Sequence, residues 1–168
     1  VSLELDEGEN VGVAGESGCG KSTLGLSVLR LVRPPGRIMN GEILFNGEDI
    51  LRKSDEEMRS IRGAKISTIF QDPTSSLNPL YTVGDQISEA IYLHQYGAKG
   101  GLSDWFLSKL NRSRVREVDK KVEDVLDSTG ISDVTNRRKS YPHQFSGGMR
   151  QRAMIAMAIS CRPRLLIA

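Results

Sequence analysis

The sequence predicts an α/β fold in which a helical insertion interrupts a sheet-forming chain. Three observations carry this. An apolar run, Val11-Gly12-Val13-Ala14, opens into a glycine-rich loop and then into residues with helical spacing. The middle and second half repeat apolar residues on helical faces. At its C-terminal end, Arg164-Leu165-Leu166-Ile167-Ala168 returns to the pattern of a buried strand.

The first element expected is a buried strand over Val11 to Ala14, short, apolar and ended by the loop. Lys21 to Leu31 follows as a helix, with Leu24, Val28 and Leu31 at helical spacing, and Pro34-Pro35-Gly36 is expected to stop it. Glu42-Ile43-Leu44-Phe45 reads as a strand entering a tight hairpin at Asn46-Gly47. Ser54-Asp55-Glu56-Glu57 has the form of a capped helix start, with Ser54 as cap and Glu57 three residues on. Lys65 to Phe70 is another strand, with Ile66 and Ile69 apolar. Val83 to Tyr96 is helical, with Ile87, Ile91 and His94 along one side. Gly97 to Asp104 has loop composition, including Gly100-Gly101. Val115, Val118, Val122, Val125, Leu126 and Thr129 form a helical stripe ended by Gly130. Gly148 to Cys161 is a further helix, closed by Pro163. The chain contains no internal repeat and no low-complexity segment.

Composition narrows the class. With 168 residues the chain fits one compact domain. No apolar run approaches the roughly 20 residues that cross a bilayer, and the N-terminus lacks the basic and apolar regions of a signal peptide. Because no initiator Met is present, the expectation is that residues are missing upstream or were removed. Cys19 and Cys161 stand far apart and read as reduced thiols, and His94 and His143 are too few and too separated for a metal site. The net charge is +2, but after Asp133 only cations occur: Arg137, Arg138, Lys139, Arg150, Arg152, Arg162 and Arg164. They are dispersed among apolar and glycine positions without an aromatic platform, which argues against a nucleic-acid surface. The expectation is that balancing acids lie beyond Ala168.

Gly15-Glu16-Ser17-Gly18-Cys19-Gly20-Lys21-Ser22 fits G-x-x-x-x-G-K-[ST] without deviation. Glycines let the backbone curl so that successive N–H groups converge on phosphate oxygens. The helix that begins at the loop aims its positive dipole end at the same anion. Lys21 brings a compact charge to the β and γ phosphates, Ser22 a hydroxyl oxygen to Mg²⁺, and Thr23 a further hydrogen bond to phosphate. Residues Gly15 to Thr23 are therefore the expected ATP cradle. A glycine-rich turn that merely joins strand to helix is the bland alternative, and a dinucleotide fold is a poor rival because no G-x-G-x-x-G occurs in this stretch.

Further on, Ser146-Gly147-Gly148-Met149-Arg150-Gln151-Arg152 resembles the signature sequence of ATP-binding-cassette (ABC) proteins. The resemblance implies a P-loop NTPase domain of the ABC type with a helical subdomain. Residues 1–72 would form the phosphate loop and core sheet, 73–148 the helical subdomain with the signature, and 149–168 the signature helix and the start of the next strand. It implies that Ser146, Gly147, Gly148 and Gln151 contact ATP held by a second ABC ATPase subunit, in a homo- or heterodimer. Gln71, at the end of a predicted strand, matches the family's glutamine loop; there the glutamine contacts Mg²⁺ and the attacking water.

Gln71-Asp72-Pro73-Thr74-Ser75-Ser76-Leu77-Asn78-Pro79, followed by Thr82-Val83-Gly84, looks like the ATPases of dipeptide, oligopeptide and nickel importers. Tyr141-Pro142-His143-Gln144-Phe145 and the run from Met149 to Ala158 point the same way, and Met149-Arg150 resembles the D-type subunit. Gly97 to Arg114 carries no family pattern. The resemblance implies transmembrane permease subunits and a solute-binding protein as partners, no nucleic acid, and a peripheral place on the cytoplasmic side of the membrane. It also implies an Mg²⁺ aspartate and a catalytic glutamate directly after the strand at Arg164 to Ala168. The chain is thus expected to be C-terminally truncated, to hydrolyse ATP negligibly by itself, and to expose an apolar sheet edge. A soluble cassette ATPase of DNA repair or translation and a non-hydrolysing nucleotide sensor are the alternatives.

Overall fold

The computed structural model describes residues 1–72, 76–96 and 111–168, which form two compact units, Val1–Lys53 and Ser54–Ala168. The first unit contains α1 (Lys21–Val28) and a hairpin of β1 (Leu44–Phe45) and β2 (Glu48–Asp49). Leu44 pairs with Asp49 and Phe45 with Glu48, leaving Asn46 (φ 52°) and Gly47 (φ 78°) as a two-residue turn. Two consecutive left-handed residues are what the right-handed strand twist selects, and asparagine and glycine adopt them at least cost. Asp49 then fastens the hairpin: its carboxylate accepts from the N–H groups of Leu51 (3.0 Å) and Ile43 (3.2 Å). Those two bonds, Leu51's first, hold its pKa below the usual carboxylate value.

Two expectations for this unit are corrected. Val11 to Ala14 is not a buried strand: it has no strand pairing, and Val11 and Val13 are 39% and 51% exposed. A buried strand needs neighbours to take its N–H and C=O groups, and the strands of this unit, β1 and β2, pair with each other. The helix also stops at Val28, short of Leu31 and before the prolines. Its end is a Schellman motif built on an arginine. Arg30 turns left-handed (φ 52°), its N–H donates to Ser27 O (3.0 Å), and the N–H of Leu31 donates to Leu26 O (2.8 Å). The Arg30 guanidinium holds the carbonyls of Ile50 (3.4 Å) and Lys53 (2.5 Å), which gives an unfavourable backbone conformation a tertiary reason.

The second unit contains α2 (Asp55–Ile61), β3 (Ile66–Thr68), α3 (Val83–Gln95), α4 (Arg112–Ser128), α5 (Val134–Arg137), α6 (Gly147–Ile159) and β4 (Leu165–Ile167). Helix α2 begins in the expected capping box. The N–H of Glu57 donates to Ser54 Oγ (3.3 Å), and the N–H of Ser54 donates to Glu57 Oε2 (2.7 Å). Strands β3 and β4 are parallel, Ile66 facing Leu165 and Thr68 facing Ile167. Parallel neighbours require a long crossover, and the helices supply it. The core lies there: Val83, Ile87, Ile91 and Tyr92 of α3, Val118, Val122 and Leu126 of α4, and Ala153 and Ala156 of α6 are all buried, joined by Ile131 and Phe145. The expected stripe of α4 thus faces inward at Val118, Val122 and Leu126. The helix ends at Gly130 (φ 77°) in a second Schellman motif, with Gly130 N–H on Asp127 O (2.8 Å) and Ile131 N–H on Leu126 O (3.1 Å). The loop expected over Gly97 to Asp104 lies outside the described residues.

Three of the cations after Asp133, namely Arg138, Arg150 and Arg152, have partners within this unit. Arg138 Nη1 lies 2.7 Å from Asp119 Oδ1. Its Nε is 3.0 Å from Glu123 Oε1 but off the hydrogen-bond axis, so that contact is an ion pair by proximity. Arg150 and Arg152 donate to the carbonyls of Pro142 and Gly130.

Candidate functional site

The phosphate loop is organised by its glycines and by its lysine. Gly18 (φ 83°) and Gly20 (φ 100°) adopt conformations that a Cβ resists, and they curl the chain into the start of α1. Gly15 is required for a different reason: a Cβ there would lie 2.7 Å from Cys19 Sγ. Gly20 is the N-cap of α1 and has no side chain to give, so the N–H groups of the first turn, at Lys21, Ser22 and Thr23, stay outside the helical ladder. The first ladder bond runs from Leu24 N–H to Gly20 O (2.9 Å). Lys21 folds back over the loop, its ammonium donating to Gly15 O and Glu16 O (2.7 Å each) and lying 3.4 Å from Cys19 Sγ. A turn between Cys19 N–H and Glu16 O (3.3 Å) closes the ring. Gly15, Glu16, Ser17, Gly18, Cys19, Gly20, Ser22 and Thr23 are all exposed. The loop therefore presents a positive charge, a helix N-terminus without a side-chain cap and open glycines at one surface. That donor set fits a polyphosphate.

In the second unit Gln71 stands just past β3, where the ladder ends with Ile69 N–H on Ile167 O (2.8 Å). Gln71 and Asp72 are exposed. Amide and hydroxyl oxygens, as at Gln71 and Ser22, are hard donors of the kind Mg²⁺ takes. The turn that follows is held by a residue that sequence reasoning missed. Gln86 of α3 accepts from Asn78 N–H (2.9 Å) and donates to the carbonyls of Asn78 (3.0 Å) and Tyr81 (3.1 Å). Only its position one helical turn inside α3 hints at this, because a side chain there reaches back over the N-terminus.

Ser146, Gly147 and Gly148 open α6 as expected. Ser146 is the N-cap, its hydroxyl accepting from Met149 N–H (3.3 Å). A Cβ at Gly147 or Gly148 would meet nothing within 4 Å, so neither glycine is there for internal packing. Gln151 is exposed on the same helix. The turn before it, Pro142–Gln144, is a 3₁₀ turn closed by Gln144, whose amide oxygen accepts from Tyr141 N–H (2.7 Å). Burial alone pushes the His94 pKa below its ordinary value, where the ring packs over Gly63.

A glycine-rich loop of this sequence opening directly into a helix N-terminus defines the P-loop class of nucleotide-binding proteins. The chain belongs to the ABC transporter family, whose model matches residues 1–168. It is similar to the dipeptide transport ATP-binding protein DppD of Escherichia coli (strain K12), 48% identical over 168 residues, which is 100% of this chain and 46% of the relative. It is 41% identical to the oligopeptide transport ATP-binding protein OppD of Bacillus subtilis (strain 168), again over 100% of this chain and 43% of the relative. Among solved structures it resembles the dimeric ATP-binding cassette MJ0796 in a post-hydrolysis state bound to ADP and Pi. The TM-score is 0.75 and the identity 27%, over 98% of this chain and 61% of that one. The chain thus spans about half the length of the curated relatives it matches. No helix among the described residues is long and apolar enough to cross a membrane.

Proposed function

We propose that this chain is the nucleotide-binding part of an ATPase subunit that powers import of short peptides through an ABC transporter. The observation that carries the reading is 48% identity, across every residue of the chain, to a protein named for dipeptide transport. Identity to the oligopeptide proteins is lower, at 41% and 42%, which favours dipeptides as the solute. The exposed, preformed phosphate loop supports ATP as the ligand.

In this reading the N–H groups from Gly15 to Thr23 bind the triphosphate, and Lys21 releases the carbonyls of Gly15 and Glu16 to meet the β and γ phosphates. Ser22 supplies a hydroxyl to Mg²⁺, and the metal offsets phosphate charge when bound. Gln71 keeps its proposed role toward the metal and the attacking water. Ser146, Gly147, Gly148 and Gln151 serve the nucleotide of a second ATPase subunit, by the anion-binding physics of a helix N-terminus. ATP-driven closure of the two cassettes moves the permease subunits, and a solute-binding protein delivers the peptide. The subunit works at the cytoplasmic face of the membrane, peripherally and without nucleic acid.

The test is uptake of a labelled dipeptide, with nickel as a control solute, in cells whose copy of the gene is deleted. The gene is expected to restore dipeptide uptake and its Lys21→Ala form to leave it absent. Restored nickel uptake alone would overturn the choice of solute. Saturable Mg-ATP binding that Lys21→Ala leaves unchanged would overturn the cassette reading itself.

A further inference from the structure

The two open glycines of the α6 N-terminus pose a physical problem. A Cβ at either glycine would meet nothing within 4 Å, so packing does not require them, and glycine has more backbone freedom to lose than any other residue. Their backbone must be fixed from elsewhere. Ser146 contributes one cap bond of 3.3 Å. The stronger constraint comes from Arg150, on the next turn of the helix. Its N–H donates to Ser146 O (2.9 Å), and its Nε donates to Pro142 O (2.8 Å). One residue thus brackets the whole segment Pro142 to Ser146 at both ends.

The segment between those bonds is otherwise anchored from behind. Phe145 is buried in the helical core, 3% exposed, and its N–H also donates to Pro142 O (3.1 Å). The Pro142 carbonyl therefore accepts twice and acts as the pivot of the turn. With Phe145 held in the core and Pro142 tied to α6, the direction in which Ser146, Gly147 and Gly148 present their N–H groups is set.

We propose that Arg150 is a positioning residue for the Ser146-Gly147-Gly148 loop, acting through the Nε–H bond to the Pro142 carbonyl and not through its charge. The proposal rests on the reading above, in which that loop serves ATP held by a second subunit. A bond made by Nε has a distinctive test. Glutamine carries an N–H₂ group the same number of bonds from Cα and no charge, whereas methionine keeps the stem and loses the donor.

The experiment compares Arg150→Gln, Arg150→Met and Gly147→Asp in the whole gene product assembled with its partner subunits. Mg-ATP hydrolysis is measured alongside ATP binding at the phosphate loop. Arg150→Met is expected to lower kcat about tenfold, as for loss of one positioned hydrogen bond, with ATP binding unchanged within about twofold. Arg150→Gln is expected to retain most of the wild-type kcat. Equal loss in both Arg150 variants, or loss in neither, overturns the proposal. Loss of ATP binding in parallel with turnover in Arg150→Met assigns Arg150 to folding and also overturns it. Gly147→Asp places a carboxylate where the anion would sit. If it leaves hydrolysis unchanged, the reading of the loop has failed and the proposal falls with it. If it abolishes hydrolysis while Arg150→Met is silent, only the proposal has failed.

Discussion

At the scale of single residues, the phosphate loop is the part of this molecule most nearly determined by covalent spacing. Its glycines, Lys21 and the helix start fall within a few residues of one another, so no tertiary information is needed to bring them together. The structure adds one contact that spacing did not indicate, the Lys21 ammonium beside Cys19 Sγ at 3.4 Å. Cys19 is exposed, whereas Cys161 is half-buried, its thiol donates to Ala90 O (3.5 Å), and burial pushes its pKa up. Thiolate is the reactive form, so a maleimide at near-neutral pH is expected to modify Cys19 well before Cys161. A bulky adduct there fills the space beside Lys21. One equivalent should therefore abolish ATP binding, and Mg-ATP at saturating concentration should slow the labelling about tenfold or more by occupying the loop. Peptide mapping of the labelled protein checks both. Labelled Cys19 with normal ATP affinity would show that the loop is not the nucleotide site. Arg150 and Arg152 belong to the opposite category. Their partners, Pro142 O and Gly130 O, are backbone carbonyls whose positions depend on a turn and a helix end elsewhere in the chain. A long flexible side chain leaves no trace of such a partner in sequence.

At the scale of elements, the N-terminus of α3 shows how completely a helix end is satisfied. Thr82 Oγ1 accepts from Asp85 N–H (3.1 Å), and the N–H groups of Val83 and Gly84 donate to Ser140 O (3.0 Å) and Arg138 O (2.8 Å). The approach of the segment after α5 is close enough that a Cβ on Gly84 would lie 2.6 Å from Arg138 O. Arg138 has no room to retreat, because its guanidinium is engaged with Asp119 and Glu123 of α4. Gly84→Ala is expected to cost about 1–3 kcal/mol, the range for overpacking a closed contact. Denaturant titration measures this, and a loss of only a few tenths would mean that the segment yields freely. The same comparison shows which elements sequence could supply. The capping box at Ser54 and Glu57, the Asn46-Gly47 hairpin and the stop at Gly130 are local signals, and each was legible. Helix α1 ends at Val28 because Arg30, a residue with no stop signal of its own, turns left-handed two residues on, held by the carbonyls of Ile50 and Lys53. Val11 to Ala14 has the composition of a buried strand, but composition names no partner strand, and within its unit there is none.

At the scale of the whole molecule, the two units differ in how much apolar surface holds each one. In Val1–Lys53 the buried apolar side chains are Leu29 and Ile50, and no residue of α1 is buried. In Ser54–Ala168 a continuous core runs through α3, α4 and α6. Local opening is governed by such differences, because little burial means little free energy lost on opening. The amides of α1 in the 168-residue chain are therefore expected to exchange with solvent far faster than those of α4. Nucleotide should alter this selectively. A ligand that binds only the folded phosphate loop stabilises it with the logarithm of its free concentration, by about 2.7 kcal/mol at a hundred times its Kd, or about a hundredfold slower exchange. Hydrogen exchange read by mass spectrometry is expected to show that slowing in α1 and the loop from Gly15 to Thr23, with α4 nearly unchanged. Equal protection of α1 and α4 without nucleotide would show that burial does not set their relative stability. Slowing confined to α4 on adding Mg-ATP would place the ligand on the wrong unit and remove the physical basis for the cassette reading.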